Sequence, residues 1–116
     1  MLIYALVVFT VGASAGLALA AAYVLRQRLA PWPLSLLHAS LGATGLVLLV
    51  YAALTTGVSQ APLIALVILV IAALAGFYLA SIHLRGQVAK KPIVFIHAGV
   101  AVIGFLTLCG AAFGVF

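Results

Sequence analysis

The chain alternates between long apolar segments and short polar breaks, and this pattern predicts its secondary structure. Four apolar segments can be read along the 116 residues, at about 2–25, 34–55, 63–84 and 93–115. Each is close to the roughly 20 residues that an α-helix needs to cross a bilayer. Such runs are far too long for barrel strands, and only helices and closed barrels satisfy their backbone polar groups in lipid. The pattern therefore predicts an all-α fold, a single transmembrane domain of four antiparallel helices.

The breaks between the apolar segments contain residues that favour turns. Pro33, Pro62 and Pro92 fall where the second, third and fourth helices are predicted to begin. Proline is tolerated there because the first N–H groups of a helix have no partner within it. The first segment lacks a basic start and is too long for the apolar part of a signal peptide, so we expect it to span as well.

The composition of the chain excludes a water-soluble domain. Hydrophobic residues make up 69% of the chain and charged residues only 4%, with no Asp or Glu. Soluble domains carry about a quarter of their residues as charged side chains. No zinc-binding spacing, phosphate-binding loop or nucleophile–base pair occurs, and the basic loops of a membrane protein do not indicate nucleic-acid binding.

The cations predict an orientation in the membrane. All five lie in the first and third predicted loops, and the middle loop has none: Arg26, Arg28, Arg85, Lys90 and Lys91. Basic loops of membrane proteins remain in the cytoplasm. We therefore expect a multi-pass protein of the bacterial cytoplasmic membrane with both termini outside the cytoplasm. Tyr23 and Trp32 would lie in an aromatic belt at the cytoplasmic surface.

The two halves of the chain resemble each other. An offset of 59 residues aligns Leu25-Arg26 with Leu84-Arg85, Pro33 with Pro92, His38-Ala39 with His97-Ala98, and Gly45 with Gly104. Arg, Pro and His are rare in this chain, so their joint alignment carries the argument. The halves have the same orientation, which predicts two helical hairpins related by a pseudo-two-fold axis along the membrane normal.

Two histidines occupy equivalent places in this repeat. His38 and His97 each follow a proline by five residues, inside the second and fourth apolar segments. An ionisable side chain inside a membrane helix is costly and usually has a partner and a function. Equivalent side chains around the axis face each other, so the pair predicts a shared ligand. The best candidate is an iron porphyrin, one haem b per chain, with both histidines as ligands of the haem iron.

Small residues share a helix face with each histidine. Gly42 and Gly45 follow His38 at helical spacing, and Ala101 and Gly104 follow His97. A flat macrocycle could lie against such a face, although small residues are also the usual contacts between membrane helices. Positive charge at the nearer membrane surface would suit the propionates of a haem. Arg26, Arg85, Lys90 and Lys91 lie at that edge, and one of them, with Arg26 and Arg85 as the first candidates, could contact a propionate. Anionic lipid headgroups account for most of the cations.

The remaining candidate residues are His83 and Cys109. His83 lies near the end of the third helix, where its repeat partner at the same offset is Val24. We favour an interfacial side chain that reaches the lipid headgroups; a proton or quinone hydrogen-bonding site, or a substitute axial ligand, is the alternative. Cys109 has no second cysteine to pair with and is expected to pack as a small apolar residue.

With His38 and His97 beside Gly45 and Gly104, the chain resembles the small membrane-bound b-type cytochromes. These are four-helix bundles with a bis-histidine haem, loosely similar to the core of the cytochrome b superfamily. The resemblance covers most of the chain, but its motifs are short. Many of those proteins carry a second pair of histidines toward the opposite membrane face, and this chain has none there. The resemblance therefore implies one haem at most.

These observations lead to one expected function and two alternatives. The expected function is electron transfer by a bis-histidine haem near the cytoplasmic face, with a quinone or a redox protein as partner, rather than a stand-alone enzyme. The first alternative is a non-catalytic accessory subunit of a larger membrane complex, such as a respiratory complex. The second is a small transporter-like homo-oligomer. A chlorin in place of haem also remains open, since histidine binds both.

Overall fold

The computed structural model describes all 116 residues and contains four α-helices. Helix α1 covers Leu2–Leu25, α2 covers Trp32–Thr55, α3 covers Gln60–Leu84 and α4 covers Lys91–Ala112. With 22 to 25 residues each, the helices are about 33–38 Å long. All four are long and apolar enough to cross a bilayer. The prediction of an all-α protein with four such helices is confirmed.

Three helices begin earlier than the sequence pattern predicts. Pro33 and Pro92 are the second residues of α2 and α4, and Pro62 is the third residue of α3. The predicted starts at residues 34, 63 and 93 are therefore wrong by two or three residues. The reason is that proline fits anywhere in the first helical turn, where its missing N–H removes no hydrogen bond. A proline limits where a helix begins without marking its first residue.

The end of α4 also differs from the prediction. The helix ends at Ala112 and not near Val115, because Gly114 adopts a left-handed conformation with φ 73°. The N–H of Val115 then donates to the carbonyl of Gly110 over 2.8 Å, which closes the last turn. This is the hydrogen bond of a Schellman cap, for which glycine is the favoured residue. Gly86 ends α3 in the same way, with φ 70°.

The helices form a square bundle in which each helix packs beside its two neighbours in the chain, and α4 packs beside α1. Helices α1 and α3 lie on one diagonal, and α2 and α4 lie on the other. Packing is most extensive within the α1–α2 and α3–α4 hairpins. The loops inside the two hairpins meet at one end of the bundle, where Ala30 packs in one cluster with Ala89. All five cations are at this end, which we call the basic end.

The core of the bundle has two apolar clusters. Leu49 and Leu108, both fully buried, lie in the cluster farther from the basic end, together with Ala5 and Ala65. The second cluster lies at the basic end and includes Tyr23 and Ile82. Outside these clusters the helices expose large apolar side chains over most of their surface. Such a surface suits a lipid environment, since contiguous exposed apolar area is limited in soluble monomers.

Candidate functional site

His38 lies in the second turn of α2 and reaches across to α1. Its Nδ1 is 2.8 Å from the backbone carbonyl oxygen of Gly12, and the side chain is half-buried. A carbonyl oxygen can only accept a hydrogen bond, so Nδ1 carries the hydrogen. In the neutral ring, the lone pair is then on Nε2. Nε2 of His38 makes no hydrogen bond within the chain, so this nitrogen remains free to bind another group.

His97 repeats this arrangement in the second hairpin. Its Nδ1 donates to the carbonyl oxygen of Ala72 in α3, also over 2.8 Å, and its Nε2 has no partner within the chain. The acceptor residue Ala72 is buried, as is Gly12 in the first hairpin. Each hairpin therefore fixes one imidazole through the backbone of the preceding helix, with the same nitrogen bound and the same nitrogen free.

The two imidazoles meet across the diagonal of the bundle. The ring centroids of His38 and His97 are 6.1 Å apart, and the ring planes are nearly perpendicular, at 89°. Since α2 and α4 are diagonal, this contact crosses the centre of the bundle. The interior of a helix bundle is where side chains of facing helices build cofactor and metal sites. The expectation that His38 and His97 lie together is thus met by their geometry.

The glycines closest to the imidazoles are on α1 and α3. A Cβ atom placed on Gly16 would lie 2.8 Å from Cε1 of His38, and one placed on Gly76 would lie 3.1 Å from Cε1 of His97. Ordinary van der Waals contacts of a Cβ are longer than 3.4 Å. Gly16 and Gly76 therefore make the space that the histidine rings occupy. Neither was singled out by the sequence analysis.

The glycines that the sequence analysis selected have a different environment. A Cβ on Gly45 would lie 2.7 Å from the ring of Phe9, and a Cβ on Gly104 would lie 2.8 Å from Leu69. Both glycines thus face the other helix of their own hairpin, where a side chain fills the space. Gly42 has no atom within 4 Å of a Cβ position, and Ala101 is half-buried.

His83 is a buried residue, which corrects the prediction of an interfacial side chain that reaches headgroups. Only 6% of it is exposed. Its Nδ1 is 3.0 Å from the hydroxyl of Tyr23 and 3.0 Å from the hydroxyl of Ser35. The indole of Trp32 stacks on its ring, with centroids 4.2 Å apart and planes at 11°. Tyr23 is also buried and does not face the surface as expected, whereas Trp32 is 40% exposed at the basic end.

The position of His83 follows from the repeat when the first and third helices are aligned separately. Helices α2 and α4 follow the offset of 59, but Gly16 and Gly76 are related by 60, as are Gly12 and Ala72. At that offset the partner of His83 is Tyr23, not Val24. The two rings meet across the other diagonal, again 6.1 Å apart and nearly perpendicular. A second alignment of the first and third helices, shifted by one residue, would have found this pair and the two glycines.

The other predicted site residues lie at the periphery. Arg26 and Arg85 are exposed in the loops at the basic end, and neither forms a hydrogen bond through its guanidinium. Cys109 is a free, half-buried thiol in α4. The chain has no group of three or more His, Cys, Asp or Glu side chains that could hold a metal ion by themselves. Two cavities lie at the ends of the bundle, one beside Gln60 and Phe116 and one beside Arg85 and Lys90, and neither is lined by His38 or His97.

Comparisons of the chain with models of known protein families, with curated proteins and with solved structures found no match. A function can therefore be inferred only from the chemistry of the site itself. That site is a pair of fixed imidazoles at the centre of a bundle of four apolar helices, each with one nitrogen free. A second polar cluster around His83 lies nearer the basic end.

Proposed function

We propose that this chain is a membrane-bound b-type cytochrome that carries one haem between His38 and His97 and transfers electrons. One observation carries the proposal: both histidines donate Nδ1–H to a backbone carbonyl of the preceding helix and leave Nε2 unpaired. Histidines that bind metals almost always donate their other ring N–H in this way, which fixes the tautomer and makes the binding nitrogen more basic.

The facing arrangement of the two rings adds to this support. Two neutral imidazoles that meet inside an apolar bundle gain little from each other when their acceptor nitrogens are both unpaired. Neither Nε2 atom is fully enclosed, so both are accessible to a ligand. A metal bound between the two Nε2 atoms would satisfy both at once. Gly16 and Gly76 support this role, because their missing side chains let the imidazoles occupy the bundle interior.

The number of protein ligands favours a porphyrin over a bare ion. Structural zinc sites use four protein ligands and catalytic sites use three, whereas this site offers two imidazoles and no third ligand. A porphyrin supplies four nitrogens of its own and needs only axial ligands. Iron with two histidine ligands has both axial positions filled and exchanges single electrons without binding oxygen. His38 and His97 would then hold the haem, and their burial would tune its potential.

The packing indicates how room for the ring would arise. Phe9 and Leu69 fill the space opposite Gly45 and Gly104 inside the hairpins, and the ring centroids of His38 and His97 are only 6.1 Å apart. Contacts between the hairpins are less extensive than contacts within them. Binding would therefore separate the hairpins from each other and leave each one intact.

The setting of the protein in the cell belongs to the same proposal. The five cations would place the basic end at the cytoplasmic face of a bacterial cytoplasmic membrane, among anionic headgroups. The redox partner would be a quinone or a protein at that face. One haem on one side does not provide a route across the whole membrane, so transmembrane transfer would need a second copy or a larger complex.

The main alternative is an accessory subunit without a cofactor. In that case the hydrogen bonds from His38 to Gly12 and from His97 to Ala72 would serve only to hold the helices together. This alternative explains the bound nitrogens but gives no role to the two free ones. It also does not explain why both imidazoles are directed to the centre of the bundle.

A visible absorption spectrum tests the proposal directly. The full chain, produced in cells with adequate haem and purified in detergent, should show a low-spin b-type spectrum on reduction. His38→Ala and His97→Ala should each abolish it, because one imidazole leaves an axial position open. His83→Ala removes the third histidine, from the same end of the bundle, and with saturating haem it should keep the low-spin spectrum.

Two results would contradict the proposal. One is a folded wild-type protein that takes up no haem in cells or after addition of hemin. The other is a normal low-spin spectrum in both single variants. If His83→Ala alone lacks a low-spin spectrum even with saturating haem, His83 is an axial ligand and one of the two proposed ligands is wrong.

A further inference from the structure

The cluster of Tyr23, Ser35 and His83 has more hydrogen-bonding capacity than its members use among themselves. Both hydroxyls are 3.0 Å from the same nitrogen, Nδ1 of His83. That nitrogen carries either one hydrogen or one lone pair, so it pairs fully with one hydroxyl at a time. Nε2 of His83 has no hydrogen-bond partner in the chain and is not enclosed. The cluster therefore keeps donors for a group outside it.

The position of this cluster relates it to the histidine pair. Ser35 precedes His38 by three residues on α2, so it lies on the same helix face, about 4.5 Å closer to the basic end. Tyr23 and His83 meet across the α1–α3 diagonal, while His38 and His97 meet across the α2–α4 diagonal. Two cross-bundle pairs are thus stacked along the axis, with the Tyr23–His83 pair on the side of the basic end.

The interior on the other side of the histidine pair is apolar. The buried residues toward the far end are Ala5, Leu6, Leu49, Ala65, Leu69 and Leu108. None of these side chains can donate a hydrogen bond. A buried carboxylate without donors is strongly disfavoured in such surroundings. Polar groups meet near the axis only on the side of the basic end.

We infer that the Tyr23–Ser35–His83 cluster receives the carboxylate edge of a porphyrin held by His38 and His97. This inference depends on the proposed function, because the carboxylates belong to the haem. With the hydrogen on Nε2 of His83, Nδ1 accepts from one of the two hydroxyls, which leaves the other hydroxyl and the Nε2–H as donors for the carboxylate. Hydrogen bonds to an ionised acceptor are about twice as strong as neutral ones. Trp32 stacks on the imidazole and holds the plane of the ring in place.

In this inference the Tyr23–Ser35–His83 cluster, and not Arg26 or Arg85, binds the haem carboxylates. Arg26 and Arg85 are exposed in the loops, where water and lipid headgroups compete for their charge. The three residues of the cluster are buried or half-buried. Ser35 lies within one helical turn of His38, and its hydroxyl is 3.0 Å from Nδ1 of His83. Helix α4 adds no donor to the cluster, since the residue of α4 that corresponds to Ser35 in the repeat is Val94, whose side chain cannot donate a hydrogen bond. The carboxylates should therefore be bound mainly by α1, α2 and α3.

Haem and its dimethyl ester test the inference, because the ester has the same ring and iron but no carboxylates. Affinities of both are measured by titration of the full chain in detergent, for the wild type and His83→Phe. The wild type should bind haem about ten- to a hundredfold more tightly than the ester, as expected for charge-assisted hydrogen bonds. His83→Phe should reduce this ratio severalfold. His83→Gln, which keeps an N–H donor, should restore part of it.

Two further variants separate carboxylate binding from a structural role. Tyr23→Phe and Ser35→Ala should each lower the haem-to-ester ratio. Ser81→Ala, which removes a hydroxyl bonded to the Tyr78 carbonyl at the same end of α3, should leave the ratio unchanged. A cluster that only braces the helix ends would weaken binding of haem and ester equally. An unchanged ratio in folded His83→Phe would overturn the inference.

The failure of the two proposals can be distinguished. If the wild type binds neither haem nor its ester, both the proposed function and this inference are wrong. If both bind with low-spin spectra that require His38 and His97, but the ratio does not depend on His83, Tyr23 or Ser35, only this inference is wrong. The carboxylates would then lie at another surface.

Discussion

Each of the three histidines has its ring fixed by a neighbouring helix. His38 and His97 use a backbone carbonyl, while His83 uses two hydroxyls and a stacked indole. A backbone carbonyl is an acceptor that substitution cannot remove, so the tautomer of His38 and His97 depends on helix packing and not on another side chain. The glycines beside the rings are then the positions where a single substitution can disturb the site.

Gly16→Ala should turn the ring of His38 away from Gly12. The added Cβ would lie 2.8 Å from Cε1, and overpacking of this kind costs about 1–3 kcal/mol. A neutral hydrogen bond contributes only about 0.5–1.5 kcal/mol net. Because the overlap costs more than the bond contributes, the bond should break before the helices separate. The Nδ1 resonance of His38 in ¹⁵N-histidine-labelled protein should shift, while that of His97 remains in place.

Substitutions of two other glycines serve as comparisons for Gly16→Ala. Gly76→Ala should shift the His97 resonance less, since the Cβ there would be 3.1 Å from Cε1 and the ring need move only slightly. Gly99→Ala should shift neither, because a Cβ there meets no atom within 4 Å. An unchanged His38 resonance in Gly16→Ala would mean that the ring is not held against α1.

At the scale of helices, Gly45 and Gly104 set the distance between the two helices of each hairpin. They pack against Phe9 and Leu69, which are related by the offset of 60 that relates α1 to α3. A small residue opposite a large one lets two helix backbones approach closely, which is a common way for membrane helices to associate. Gly45 is thus part of the contact between α1 and α2, and Gly104 is part of the contact between α3 and α4. The two helices of a hairpin pack together as one unit.

Gly45→Ala should destabilise the protein whether or not haem is supplied. A methyl group would lie 2.7 Å from two ring carbons of Phe9, and the expected loss is about 1–3 kcal/mol in the free energy of unfolding. Unfolding in detergent measures this loss. Gly42→Ala is the control from the same helix; it meets no neighbouring atom and should stabilise slightly through helix propensity.

The Phe9→Ala/Gly45→Ala double variant should be less destabilised than the sum of the single variants; strict additivity would contradict the contact.

The sequence predicts these helices better than it predicts what surrounds the histidines. Hydropathy is a property of whole segments, so the four helices could be predicted. The first residues of three helices were predicted two or three positions too late, because the prolines lie inside the first turn and do not mark its start. The pairing of His38 with His97 followed from one offset of 59. The His83 cluster did not, because its partners Tyr23 and Ser35 belong to other helices and the first and third helices follow an offset of 60. Contacts between helices depend on rotation about each axis, which a change of one residue alters by about 100°.

At the scale of the whole molecule, polarity differs between the two ends of the bundle. The basic end contains all five cations, the His83 cluster and, about two helical turns from the start of α2, the histidine pair. The far end contains the chain termini, the α2–α3 loop and a leucine-rich core. The proposed haem, its carboxylate site and its redox partner would therefore all lie toward one membrane surface.

The orientation of the bundle decides which compartment would exchange electrons with the proposed haem. Five cations at one end and none at the other predict that the basic end remains in the cytoplasm. A periplasm-dependent reporter fused after Phe116 should be active, as should one inserted after Ser59 in the α2–α3 loop. The same reporter inserted after Gln87, in the loop at the basic end, should be silent there. A cytoplasm-dependent reporter should give the opposite result at all three sites. If the fusion after Phe116 is active only in the cytoplasm, the histidine pair lies toward the outer surface, and the proposed redox partner would have to be on that side.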